Sequence, residues 1–338
     1  MKDEVQISVI MAVYNGDRYL KEAIESVLNQ TFTDFEFIIV NDGSTDSSLS
    51  IIKSYSDHRI VLINNEENQG LIFSLNRAIK SSKGKYLARM DADDICIADR
   101  FRLQYEYLET NPGIGVLGSS YYSFDETSRN LNIAHAGSDR IKTFLLFSAT
   151  FCHPTLMIRK SILEKNHLLF LEEAKHAEDY DLWTRMALLT NFENLPFPLL
   201  NYRQHQSQVS KAYSSVQSEN SKIIREKYLT NLNFSFNQEN LIVHQRIASN
   251  QFITSKVHLL EIEKWLENLI DQNAKKNILN NQLFNSAIVK MWKDCCGNTN
   301  LGLWSYLKFH SSSLRKLTEH ESFFEWKLLF KCLVRYLK

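Results

Sequence analysis

The sequence predicts an α/β fold, a doubly wound sheet followed by a helical C-terminal region. Three observations carry that reading. Near-continuous apolar runs alternate with amphipathic helices up to residue 90. Each of those apolar runs ends in a cluster of polar residues. All four prolines and eight of the ten glycines precede residue 200, so the first part is turn-rich and the last third reads as helical.

The first two runs, VQISVIMAVYN and FEFIIVND, are apolar at nearly every position. That suits strands covered on both faces of a parallel sheet. Between them, DRYLKEAIESVLNQ puts Leu20, Ala23, Ile24, Val27 and Leu28 on one helical face. RIVLINN (59–65) is a third strand, and LIFSLNRAIKSS is a helix with Gly84 as its expected C-cap. KYLARM is a fourth strand. In a sheet wound this way, ligands bind beyond the C-terminal strand ends. From residue 206 the chain turns to polar-rich helices, namely SSVQSENSKIIREKYLTN, TSKVHLLEIEKWLENLIDQ, NQLFNSAIVKMWKD and SFFEWKLLFKCLVRYLK.

With 338 residues and 44% hydrophobic content, the chain can build a sizeable core, and its length favours two domains. Lysine plus arginine (39) balances aspartate plus glutamate (39), so no basic excess points to a nucleic-acid partner. The five cysteines are odd in number and lack metal-ligand spacing, which suits a reducing, cytoplasmic setting. The longest uncharged run, Thr143 to Ile158, is too short to span a bilayer, and no secretory leader is expected.

The four polar clusters are VYNG (13–16), NDGSTD (41–46), NNEENQG (64–70) and DADD (91–94). Their position at four strand ends converges them on one crevice. If residues 91–93 are extended, Asp91 and Asp93 share a face and Ala92 turns aside. Two hard oxygen donors suit Mg2+ or Mn2+ carried in with a diphosphate, although a solvated acidic turn has the same composition. No Walker-type or Gly-x-Gly-x-x-Gly loop is present to cradle phosphate through backbone N–H groups. Further on, HAEDYDLWTRM (176–186) opens a helix with Glu178, Asp179 and Asp181. Such acids complement a helix dipole, as Asp181 is expected to do, or serve as a general base where they overhang the crevice. His205, in YRQHQSQVS (202–210), is either a metal ligand or an ordinary hydrogen-bonding residue.

Taken together these segments resemble the inverting glycosyltransferases of family 2, which have the GT-A fold. The matching stretches are ISVIMAVYNGDRYLKEAIESVLNQTFTDFEFIIVNDGSTD, NQGLIFSLNRAIKSSKGKYLARMDADD, HPTLMIRK, AEDYDLW and YRQHQSQVS, in the family's order over residues 5–210. The resemblance implies a GT-A domain at 1–210 (a Rossmann-like doubly wound mixed sheet) and a mostly helical region at 211–338. It implies that Ala12 and Tyr14 line a nucleoside pocket, Asp42 accepts from the base and Asn68 sits at the pocket edge. Asp91 then reaches the ribose or metal, Asp93 ligates the metal, and Asp94 supports the loop. Asp179 is implied as catalytic base with Glu178 beside it, and His205 as a metal or phosphate contact. Relatives carry an arginine in the helix after the N-x-G turn. Here Arg77 falls on another phase, and Arg89 is the substitute.

The implied activity is metal-dependent transfer from a nucleotide-diphosphate sugar, a UDP-sugar first, to a glycan or lipid-linked acceptor for a bacterial surface polysaccharide or lipopolysaccharide. A non-catalytic nucleotide-sugar-binding or scaffold protein of the same fold is the alternative. A nucleotidyltransferase fits less well, because VYNGDRYL is a poor match to a phosphate loop. The last helix (322–338) aligns Lys327, Lys331, Arg335 and Lys338 against an aromatic face. Two readings of it stay open: peripheral contact with an anionic membrane, or packing on its own domain or on a second copy in a homo-oligomer.

Overall fold

The computed structural model describes residues 5–205, 213–317 and 328–332. The described residues form two compact units. One comprises Met1–Ile141 with Thr150–Asn220, and the other Lys142–Ala149 with Ser221–Lys338.

The first unit is built on a nine-stranded mixed sheet. Its strands are β1 (Ile7–Val13), β2 (Phe35–Asp42), β3 (Ile60–Asn65), β4 (Tyr86–Arg89), β5 (Ile95–Cys96), β6 (Ile114–Phe124), β7 (Arg129–Asn132), β8 (Met157–Arg159) and β9 (Asn191–Arg203). The order across the sheet is β3-β2-β1-β4-β8-β6-β9-β5, with β7 on β6. The first four strands are mutually parallel, and β8 then enters antiparallel to both β4 and β6. All eight positions of β2 are buried, as its unbroken apolar run requires, whereas β3 at the sheet edge stays partly exposed.

The intervening helices are α1 (Asp17–Leu28), α2 (Ser48–Lys53), α3 (Leu71–Ser81), α4 (Arg100–Thr110), α5 (Ser138–Leu145), α6 (Lys160–Lys165) and α7 (Glu178–Met186). Helix α1 buries Leu20, Ala23, Ile24 and Val27 in the same core as Val9, Met11, Phe37 and Ile39. Truncating one such residue, Ile24→Ala for example, costs about 2–5 kcal/mol.

Gly84 does not cap α3. The helix ends at Ser82, which turns extended at φ −71°, ψ 144°. Gly84 is needed instead because a Cβ there would lie 2.4 Å from the Ser8 amide nitrogen, so its small size lets the chain enter β4 against β1. In β9, Pro196 and Pro198 fall at a register shift, where Leu195 pairs with Ser119 and Pro198 with Ser120. Proline has no N–H to give to the ladder, so the strand bulges there rather than pairing residue by residue.

The second unit is helical: α8 (Ser214–Asn231, entering from the first unit), α9 (Gln238–Ala248), α10 (Lys256–Lys276), α11 (Asn281–Gly297) and α12 (Leu303–Ser311). Trp265, Leu266, Leu269, Phe284, Ile288 and Trp292 form its centre. Lys142–Ala149 is held there through backbone carbonyls, with His244 Nε2 2.7 Å from Leu146 O and Tyr228 Oη 3.3 Å from Lys142 O. Trp265 Nε1 donates to His244 Nδ1, which fixes the ring, and burial lowers that histidine to about 4. The basic stripe expected over 322–338 lies outside the described residues apart from a helical stretch at 328–332. Among the described residues no helix is long and apolar enough to cross a membrane.

Candidate active site

The parallel strands deliver their polar ends to one edge of the sheet, and the loops there are tied to one another. Gly16 N donates to Ser48 Oγ at 2.9 Å and Asp17 N to Asp46 Oδ2 at 3.0 Å. Thr45 N donates to Asn15 Oδ1 at 2.8 Å. Within NDGSTD, Asp46 therefore serves both helix starts, accepting from Asp17 N of α1 and Ser48 N of α2. Ala12 is half-buried at the end of β1, and Tyr14 stands 49% exposed beyond it.

Asp42 is buried and heavily bonded. Its Oδ1 accepts from Asn65 Nδ2 at 2.6 Å and Gln69 N at 2.9 Å, and its Oδ2 from Gly70 N at 2.9 Å. Gly43 makes this possible: at φ +65° it lets the 67–68 backbone pass where a Cβ would sit 2.4 Å from the Glu67 carbonyl carbon. Asn68 is exposed and accepts from Gly70 N at 2.9 Å. Arg77 turns to Asn64 and Asn65 at the edge strand.

At the end of β4, Asp91, Asp93 and Asp94 place one carboxylate oxygen each within 4.8 Å of one another. The expected extended alternation is not how this comes about. Residues 92–93 form a turn, and the turn gathers all three acids rather than two. Arg89 is the charge between them: its guanidinium lies 2.5 Å from Asp91 Oδ1, almost wholly buried. From the other side, Arg203 at the end of β9 clamps the turn. Its backbone N–H donates to Asp94 Oδ1 at 2.8 Å, its Nε to the Asp93 carbonyl at 2.8 Å, and its guanidinium meets Glu22 at 2.6 Å. His205 Nε2 sits 2.9 Å from Asp93 Oδ2, and Tyr19 of α1 lies beneath both His205 and Arg203.

Helix α7 opens with Glu178, Asp179 and Asp181. Asp181 pairs with Arg185 at 2.7 Å, one turn on. Asp179 Oδ1 accepts from Tyr180 N at 2.7 Å. Glu178 is buried, and its Oε2 has no hydrogen-bond partner.

The charges act on one another. Burial raises Asp91 against the opposing pull of Arg89, and Asp93 adds to the rise. Burial, then Asp91 and Asp93, push Asp94 well above the carboxylate range, and its Oδ2 is unpartnered. Asp179 is raised by burial and by Asp91, partly offset by the Tyr180 N–H and by Arg89. Glu178 rises from 4.5 to about 7 through burial and the Asp179 charge beside it. Acids on β4 and α7 thus share one field although the sequence separates them widely. Three crowded carboxylates, one neutralised by an arginine, fit a divalent cation by donor type.

A mixed α/β sheet carrying such a cluster at the end of its fourth strand is a GT-A-type fold. Solved structures agree. Staphylococcus aureus TarS 1–349 in complex with UDP-GlcNAc superposes with TM-score 0.60 at 18% identity, over 92% of this chain and 90% of that one. The mannosyltransferase PcManGT from Pyrobaculum calidifontis, in complex with GDP-Man and Mn2+, gives 0.52 at 14% identity, over 98% and 87%. The family description Glycosyl transferase family 2 matches residues 8–166. An uncharacterized glycosyltransferase of Haemophilus influenzae is 31% identical over 321 residues, 90% of this chain and 91% of the relative. The O-antigen biosynthesis glycosyltransferase WbnJ of Escherichia coli is 35% identical over 213 residues, 61% of this chain and 82% of WbnJ. The chain belongs to glycosyl transferase family 2 and is a glycosyltransferase.

The structure brings Arg89, Asp91, Asp93, Asp94 and His205 into direct contact, and Glu178 and Asp179 into their field. Asp42 and Asn68 share a second cluster at the end of β2. Sequence reading missed Arg203 and Tyr19. Arg203 lies inside YRQH, two residues before His205, and Tyr19 looked like an ordinary helix residue.

Proposed function

We propose that the protein is a metal-dependent inverting transferase that moves a hexosyl or N-acetylhexosaminyl group from a UDP-sugar to a glycan or lipid-linked acceptor in bacterial surface polysaccharide or lipopolysaccharide assembly. The observation that carries this is that the charge of Asp91 reaches Asp179. It joins a place for a diphosphate to a place for a base. The O-antigen role of WbnJ supports the pathway, and the UDP-GlcNAc bound by TarS supports the donor class. GDP-Man in PcManGT favours a guanosine donor as the second reading.

In this reading Ala12, Tyr14 and Asn68 border the nucleoside. Asp42 spends three acceptor sites on protein donors, and a carboxylate has about four, so one remains for a base N–H. Asp93 and Asp91 hold the divalent cation, Mn2+ or Mg2+, with His205 behind Asp93. When bound, that cation supplies charge neutralisation at the diphosphate. Arg89 keeps Asp91 oriented and limits its repulsion of Asp179.

Asp179 accepts the acceptor hydroxyl's proton as that oxygen attacks the anomeric carbon, opposite the leaving diphosphate. A raised pKa brings it nearer the working pH, where a general base is most effective. The test is Asp179→Asn: turnover with a UDP-sugar is lost while UDP binding with Mn2+ persists. Surviving turnover removes Asp179 as the base, and absence of any nucleotide binding in the wild type removes the reading.

A further inference from the structure

His153 opens the 3-10 turn His153–Thr155 that leads into β8. The backbone fixes this turn. Thr155 donates its N–H and its hydroxyl to the Cys152 carbonyl at 2.9 and 2.7 Å, and the Leu156 carbonyl accepts from Arg89 N at 2.9 Å. His153 therefore stands beside the Asp91 end of β4 without its ring helping to hold it there.

The ring packs against two aromatic side chains, with centroids 5.6 Å from Phe170 and 5.7 Å from Trp183. Trp183 is one helical turn beyond Asp179 on α7, so the two share a helix face. The Arg89 charge reaches His153 and Asp179 alike, and is ion-paired to Asp91. The imidazole thus touches the helix that carries Asp179 and lies within the field of the arginine that pairs with the acidic turn.

Among the described residues, neither ring nitrogen has a hydrogen-bond partner, and the residue is half-buried. Burial, helped by Arg89, keeps the ring neutral, well below 6.5. A neutral imidazole offers one donor and one acceptor. Neither nitrogen is committed to the protein, so both are available to a ligand. The two nitrogens point away from each other, so one ligand group meets one of them: a hydroxyl can pair with either, a phosphate oxygen with the N–H alone.

On the function proposed above, inversion places the transferred sugar between the diphosphate at the acidic turn and the attacking oxygen at Asp179. We propose that His153 is a specificity residue for the donor sugar, one of its imidazole nitrogens sharing a hydrogen bond with a hydroxyl of the transferred pyranose. This rests on that functional reading and adds a residue to it.

The experiment is calorimetry with Mn2+ on wild type, His153→Phe and His153→Asn. The probes are UDP, UDP-Glc, UDP-GlcNAc, GDP and GDP-Man. For the nucleotide sugar the wild type holds, His153→Phe lowers the ratio of sugar to diphosphate affinity about ten-fold, with diphosphate binding changed less than about two-fold. His153→Asn, with a donor and an acceptor restored, recovers the ratio to within about three-fold. His153→Ala replaces the phenylalanine variant if the latter does not fold. An unchanged ratio overturns the assignment, and so does equal loss for sugar and diphosphate. A wild type that binds none of the probes fails in a different way and takes the functional reading with it.

Discussion

Two strand ends of the same sheet, β2 and β4, carry buried aspartates and treat them in opposite ways. At the end of β2, Asp42 meets three protein donors, two of them backbone N–H groups of the loop it organises. At the end of β4, three aspartates crowd within 4.8 Å, and Asp94 Oδ2 has no partner. The first arrangement meets its charge with protein donors and holds the 67–70 loop in place. The second keeps like charges together with only Asp91 met by a buried arginine, an arrangement that suits a ligand cation. An acid's donors, more than its burial, tell structural carboxylates from chemical ones.

Breaking the chemical side has the largest effect. Asp179→Asn is expected to lower kcat by about 10²–10⁴-fold with UDP affinity little changed, read by steady-state kinetics alongside calorimetry. Breaking the structural side costs stability instead. Asp42→Ala leaves the Gln69 and Gly70 N–H groups unpaired and is expected to lose about 2–4 kcal/mol in urea unfolding.

The pH dependence sharpens the contrast. Glu178 has a folded pKa of about 7 against 4.5 in its ordinary state, so the folded protein binds the extra proton between those values. Stability from this group is full below pH 4.5 and falls as pH rises through 7, by at most about 3 kcal/mol. Thermal melts of the wild type should therefore decline from pH 5 to 8, and Glu178→Gln should flatten part of that decline. Added Mn2+ at pH 8 should raise the melting temperature, by a free energy of about 2.7 kcal/mol at a concentration 100 times its Kd. Asp93→Ala should abolish that rise. The smallest effect belongs to Asp94→Asn, which keeps the bond from Arg203 N and removes one like charge. It should stabilise the metal-free protein at pH 8 by about 1 kcal/mol.

Much of this was legible in the chain. The unbroken apolar runs of β1 and β2 and the stripe of α1 gave the sheet and its helices, because burial on both faces leaves no other composition. The acids at 91–94 and 178–179 were visible as charged residues following apolar segments. What could not be read was long-range pairing. Asp94 finds Arg203 across 109 positions, and His153 meets Trp183 only once α7 is in place. Gly84 misled because glycine after a helix usually means a left-handed cap, whereas here the constraint is the neighbouring strand. Alternation suggested that Asp91 and Asp93 share a face, but a turn has no such period, and it brought in Asp94 as well.

Lys142–Ala149 bears on how the molecule can be dissected. This octet precedes the last strands of the sheet, yet His244, Tyr228 and Arg225 of the helical unit grip its carbonyls. Cutting the gene after codon 220 would strip those carbonyls of their donors and strand Leu145, Leu146 and Phe147 in water. The helices cannot be traded as a cassette between homologues at a single junction; a working chimaera needs two crossovers, one around the octet and one near position 220.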